Sequence, residues 1–214
     1  MGSQVILDII SSSFVFGTLL VMALRLNGSV TENLETYNGE VIVQDNMCNV
    51  VNLIQYDFRK IGYCLDPTQI PDPTKAIILA DTDRIKFYTD LSDATHPFGD
   101  GSLDIVYYYL GPTSELSMTP NPNDRILYRV VNNAPPKGSN LGVTKFSLMY
   151  FGALNDTLHT PVANPGAIWS MQITVQVQNY SMASLHYNTA KFDNPITQSY
   201  WRQMRLVSRN LKNR

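Results

Sequence analysis

Apolar residues crowd the first two dozen positions and then thin into a stripe. From Val5 to Leu24 about 14 of 20 positions are apolar, and Asp8 is the sole ionisable group. A helix over Val5 to Leu26 would be about 33 Å long at about 1.5 Å per residue, close to the hydrocarbon thickness of a bilayer. The leading MGSQ carries no positive charge, unlike the basic start of a cleaved secretory signal. Further on, Met47, Val50, Val51, Ile54, Phe58 and Ile61 recur at steps of three and four, the period of one helical face. No proline interrupts Thr31 to Ile61, while Asn27-Gly28-Ser29 and Asn38-Gly39 are soft spots where kinks or melted turns are expected. The pattern predicts one long, interrupted helix from about Val5 to Ile61. Gly62 and the prolines at 67, 71 and 73 close it.

Beyond that point the period falls to two. Arg84 to Tyr88, Leu103 to Leu110, Arg125 to Val131 and Ile173 to Gln178 alternate, or carry the β-branched and aromatic residues that suit a pleated surface. Ala76 to Ala80, Val143 to Phe151 and Trp201 to Leu211 are weaker strands of the same kind. The stretches between them are rich in proline, glycine and asparagine, as loops between antiparallel strands are.

The predicted class is therefore α+β: a long N-terminal helix packed on a C-terminal antiparallel β-sheet domain. Residues 1–62 form the helix, with residues 5–26 as its apolar assembly or membrane segment. Residues 63–214 form the β-rich domain, packed on helix residues 30–61, because the stripe from Met47 to Ile61 needs a partner and half-buried strands supply one. The first two dozen residues have no such partner within the chain. A bilayer, or copies of the same helix, must cover them.

Composition narrows the chemistry. The 214 residues include 44% hydrophobic and 16% charged positions, which argues against a disordered chain. A net charge of -2 gives no general reason to condense on nucleic acid, and none is predicted as a partner. Phosphate-loop, dinucleotide-binding, zinc-protease and nucleophile-elbow motifs are all missing, so no enzyme and no cofactor is expected. His96, His159 and His186 fall in separate predicted loops without ligand-spaced partners, which reads as surface histidine and not metal. Asp81, Asp83, Asp90, Asp93, Asp100 and Asp104 are of the kind calcium favours, but they lack the spacing of an EF-hand and aspartate is common in turns; no metal is assigned. Cys48 and Cys64 invite a disulfide, yet a straight helix from Cys48 to Ile61 carries the chain about 20 Å away and three further residues recover about 10 Å. Buried free thiols are expected. The last fourteen residues hold Arg202, Arg205, Arg209, Lys212 and Arg214 and no acid. They read either as a charged edge strand or as one half of a head-to-tail contact between subunits.

Several short segments resemble the type IV pilin superfamily, which includes type II secretion pseudopilins. Asp57-Phe58-Arg59-Lys60-Ile61-Gly62-Tyr63 closing the helix is one. Arg84 to Tyr88, Ile105 to Tyr109, Ile126 to Arg129, Gly142 to Tyr150, Ile173 to Gln178 and Val207 to Asn210 follow in order. Within the superfamily the chain is most similar to W-type minor pilins and J-type pseudopilins. Members usually open on a basic leader and a mature run like Phe-Thr-Leu-Ile-Glu, where this chain has Met-Gly-Ser-Gln-Val-Ile-Leu-Asp. The resemblance implies that Asp8 neutralises the N-terminal amine of a neighbouring subunit; alternatively it is an acid favoured near a helix start. Ser11, Ser12, Ser13 and Gly17 are small enough for close helix approach, or are small residues of an ordinary membrane helix. Together with Phe14, Phe16 and Leu20 they form the expected assembly set.

Two functions follow. In the first, the chain is a structural subunit of an extracellular type IV pilus-like or pseudopilus filament, held in the inner membrane before assembly. Its partners are then copies of itself or other pilin-like subunits. In the second, it is a singly membrane-anchored surface binding protein with a β-rich ectodomain.

Overall fold

The computed structural model describes residues 2–119, 121–180 and 197–212; His186 and Arg214, named above, lie outside them. Helix α1 runs unbroken over Gly2–Arg59. The two soft spots do not interrupt it. At the first, Thr31 Oγ1 donates to the Asn27 carbonyl at 3.0 Å, spanning Gly28 along the helix. Glycine costs a helix about 1 kcal/mol but does not break its hydrogen-bond ladder.

The end of α1 is closed from three directions. Gly62 has φ +73°, and a Cβ there would lie 2.9 Å from Ala76 Cβ, so only glycine lets the chain turn this close to the first strand. Thr89 Oγ1 donates to the Lys60 carbonyl at 3.0 Å, and Ser208 Oγ to the Ile61 carbonyl at 2.8 Å. Carbonyls that a helix end leaves without partners are thereby satisfied by the β domain.

The β domain is antiparallel, as expected, and holds two four-stranded sheets. Alternation reports which face of a strand is buried, not which strands share a sheet, so it did not give their number. The first sheet joins β1 (Ile77–Ala80), β2 (Arg84–Thr89), β3 (Asp104–Leu110) and β4 (Leu127–Val131) in that order. The second has the order β6-β5-β7-β8, from β5 (Val143–Phe151), β6 (Thr157–Leu158), β7 (Ser170–Tyr180) and β8 (Thr197–Leu206). The predicted strand Trp201 to Leu211 is instead β8 followed by a short helix α2, Arg209–Lys212. The strand has to stop there because Ser208 turns in to bond the α1 terminus and Leu211 is buried beside it.

The core lies between α1 and the two sheets. Met47, Val50, Val51, Ile54, Phe58 and Ile61 are all buried, with Ile54 and Ile61 fully so. They pack with Phe146, Ile173, Val175 and Met204 of the second sheet. Phe58 reaches the first sheet, its ring edge-on to Phe87 at 5.4 Å and to Tyr108 at 5.5 Å. Beside it Asp57 receives Arg129 Nε at 2.6 Å and the Tyr108 hydroxyl at 2.6 Å, a buried network tying α1 to β3 and β4.

The packed part of α1 begins later than predicted. Among the described side chains Val43 is the first that is buried, with Thr36, Gly39 and Glu40 half-buried ahead of it, so burial does not begin at residue 30. The reason is phase. At about 100° per residue, Val30, Leu34, Tyr37 and Val41 lie about 120° around the helix from the Val43 to Phe58 stripe.

Candidate assembly surface

From Gln4 to Ile42 none of the described side chains of α1 is buried, a stretch of about 58 Å. Its N-terminal part is long and apolar enough to cross a membrane. Asp8, Ser11, Ser12 and Ser13 are exposed, and so are Phe14 (72%), Phe16 (68%) and Leu20 (49%). Ser11 to Ser13 are consecutive, so they spread over about 200° of the helix and do not form one face. Ser13 and Gly17, four apart, do share a face. Nothing lies within 4 Å of a Cβ built on Gly17, which leaves a notch where another backbone can approach.

The hydroxyls of this stretch are satisfied locally. Ser12 Oγ donates to the Ile9 carbonyl at 3.0 Å and Thr18 Oγ1 to the Val15 carbonyl at 2.8 Å. Such back-bonding lets a helix carry serine and threonine into surroundings without water. Asp8 is the exception: among the described residues no hydrogen bond or ion pair reaches its carboxylate. In a segment that crosses a membrane, such a carboxylate would need a partner charge or a place at the interface.

The apolar surface continues past the membrane-length segment. Val30 (54%), Leu34 (56%), Tyr37 (63%) and Val41 (46%) are exposed, and their four-three-four spacing is that of a left-handed helix-helix seam. This seam was not recognised in the sequence, where it was absorbed into the face packed on the sheet. Its spacing was the available signal, since it is out of step with the stripe at Met47 to Phe58.

The residues considered for metal binding are committed elsewhere. Asp81 bonds Arg84 Nε at 3.0 Å, and Asp104 accepts from the Leu91 amide at 2.9 Å. Asp93 accepts from the Thr95 amide and hydroxyl, each at 2.7 Å, and holds exposed His96 through its amide. Asp90, fully buried, accepts from the amides of Leu65, Asp100 and Gly101. Among the described residues no group of three or more histidine, cysteine or acidic side chains gathers. Both cysteines are free; Cys64 is buried, but Cys48 is exposed, contrary to expectation, because it lies on the seam side of α1 and away from the core stripe. Arg202 and Arg205 lie on β8, an edge strand, where Arg205 stacks over the Phe151 ring at 4.2 Å and bonds Ser170 Oγ at 3.0 Å.

No protein-family model matches the chain, and no curated protein matches it in sequence. Among solved structures it is similar to a type IV-like pilin from Thermus thermophilus. The TM-score is 0.45 at 9% identity, over 78% of this chain and 96% of that one.

Proposed function

We propose that the chain is a structural subunit of a pilin-like filament, held in the inner membrane through residues 5–26 before assembly and displayed on the cell surface afterwards. The observation that carries this reading is the exposed seam of Val30, Leu34, Tyr37 and Val41. With Val5 to Leu26 in the hydrocarbon layer, Val41 lies about 22 Å beyond it, out of reach of lipid. The chain's own β domain occupies a different face of the helix. A neighbouring helix is the partner that covers both the membrane-length segment and the seam at once, burying about 1.5–3 kcal/mol of hydrophobic free energy per large side chain. Repeated head-to-tail contacts of this kind build an open fibre. Phe14, Phe16 and Leu20 fill that interface, Ser13 and Gly17 allow close approach, and Asp8 meets a positive group of the next subunit.

A singly anchored surface protein is the alternative, and it leaves the seam in water. Electron microscopy of material sheared from cells making the chain separates the two. Filaments containing it are expected, and Leu34→Glu with Tyr37→Glu should abolish them while the protein stays folded in the membrane. Detergent-soluble monomers alone, or filaments indifferent to the two glutamates, would sink the assembly reading.

A further inference from the structure

The outer face of the second sheet, away from α1, carries a polar cleft that the filament reading does not use. It is about 390 Å³ in volume and is walled by Thr144 and Lys145 of β5, Gln176 and Gln178 of β7, and Asn123 and Arg125 from the segment entering β4. A β-bulge between Val143 and Lys145 builds it, with Thr144 as the re-aimed residue. Gly142 makes the bulge possible: its φ is +68°, and a Cβ there would lie 2.4 Å from the Gln178 carbonyl oxygen. The Arg125 amide donates to the Val143 carbonyl at 2.9 Å and fixes that wall to the sheet.

The cleft has two deficits. Thr144 Oγ1 and Gln178 Oε1 are buried and have no hydrogen-bond partner. Native proteins leave few such groups, because each costs free energy until something pairs it. Arg125 and Lys145 make no side-chain hydrogen bond or ion pair among the described residues, and none of the cleft's walls carries a carboxylate. Next to it stands Trp201, 64% exposed and directly opposite Gln176 across the β7-β8 pair. Cβ atoms of such pairs are about 4.5–5.5 Å apart.

Each deficit selects a chemistry. The cations need an anion, and Gln178 Oε1 needs a donor, which the soft terminal torsion of an amide allows it to meet at the cleft wall. A bare oxyanion brings no donor, and a neutral sugar leaves two charges unpaired. An exposed indole offers a flat apolar surface to a ring. We propose that this face binds an acidic saccharide: the carboxylate on Arg125 and Lys145, hydroxyls on Thr144, Gln176 and Gln178, and a sugar ring against Trp201.

The test is calorimetric titration of the detergent-solubilised full chain with a short oligogalacturonate. Its arms are the neutral galactose oligomer of equal length, sulfate, and a short single-stranded DNA. Oligogalacturonate should bind at least about tenfold tighter than any other arm, a difference of one good charged pair. Arg125→Gln and Trp201→Ala should each weaken it about tenfold without moving Tm. Gln178→Met, which removes the orphaned oxygen, should weaken binding by up to about tenfold while raising Tm by about 2–4 °C. No binding by the parent chain, equal affinity for the neutral oligomer or sulfate, tighter binding of DNA, or full affinity in Arg125→Gln would overturn the proposal. The readout uses dispersed protein, so absence of filaments leaves it standing.

Discussion

Asp57 shows how much a single side chain can fix. It has no solvent exposure, sits in the last turn of α1, and is held by Arg129 of β4 and Tyr108 of β3. Burial, with Asp57 beside it, pushes the Tyr108 hydroxyl far above the usual tyrosine range, so it remains a donor. The Arg129 side chain keeps 24% of its surface in solvent while Asp57 keeps none, and the two halves of the pair are therefore unequal. Removing the arginine strands a buried carboxylate; removing the aspartate leaves a cation that water still reaches. Arg129→Ala should cost about 3–5 kcal/mol in urea unfolding, and Asp57→Ala measurably less. Equal losses would show that the pair acts as packing alone. Asp81 gives a pH dependence at the same scale. The Thr82 amide first, and Arg84 after it, hold its carboxyl below the ordinary value. A lowered folded value means stabilisation that is complete above the unfolded value of about 3.9 and is lost as pH falls through the folded one. Thermal melts should decline on acidification below about pH 4, and Asp81→Asn should reduce that decline.

At the scale of elements, the period of the sequence and the behaviour of its glycines come apart. The face from Met47 to Phe58 was legible because three-four spacing marks one side of a helix, and the strand centres were legible because alternation marks one side of a pleat. Element ends were not: β8 stops at Leu206 because Ser208 has a distant carbonyl to bond, a tertiary requirement that local pattern does not encode. Gly28 looked like a break, yet nothing lies within 4 Å of a Cβ placed there and the helix passes through it. Gly28→Ala should raise helix stability by up to about 1 kcal/mol, read as increased helical ellipticity and later melting in detergent. Gly142, by contrast, gave no sign of its role beyond its place before a strand. Gly142→Ala forces a side chain into the left-handed region and onto a backbone oxygen. A loss of about 1–3 kcal/mol is expected, with slower-exchanging β5 and β7 amides becoming fast in hydrogen exchange. Unchanged exchange would mean that the bulge re-forms without glycine.

For the whole molecule, the division of labour along α1 decides what can be removed. One helix has two parts: from Val43 onward it is the central element of its own domain, and before Val43 it is a rod with no buried residue among the described side chains. This division was partly hidden in the sequence, because residues 30–42 carry an apolar stripe as regular as the one that follows and only the phase difference of about 120° separates them. Since no core residue comes from the rod, cutting the chain before Asn33 removes no packing from the domain. The truncated protein should therefore be monomeric in sedimentation without detergent, and it should melt within a few degrees of the full chain in detergent. The truncated chain keeps Leu34, Tyr37 and Val41, and restoring residues 27–32 adds only Val30, so neither form should associate, because a short seam buries too little to offset the entropy of joining two subunits. Association in the truncated chain, or returning with those six residues, would place the main interface in the seam; association requiring the chain back to Val5 would place it in the membrane-length segment, with the seam as its extension.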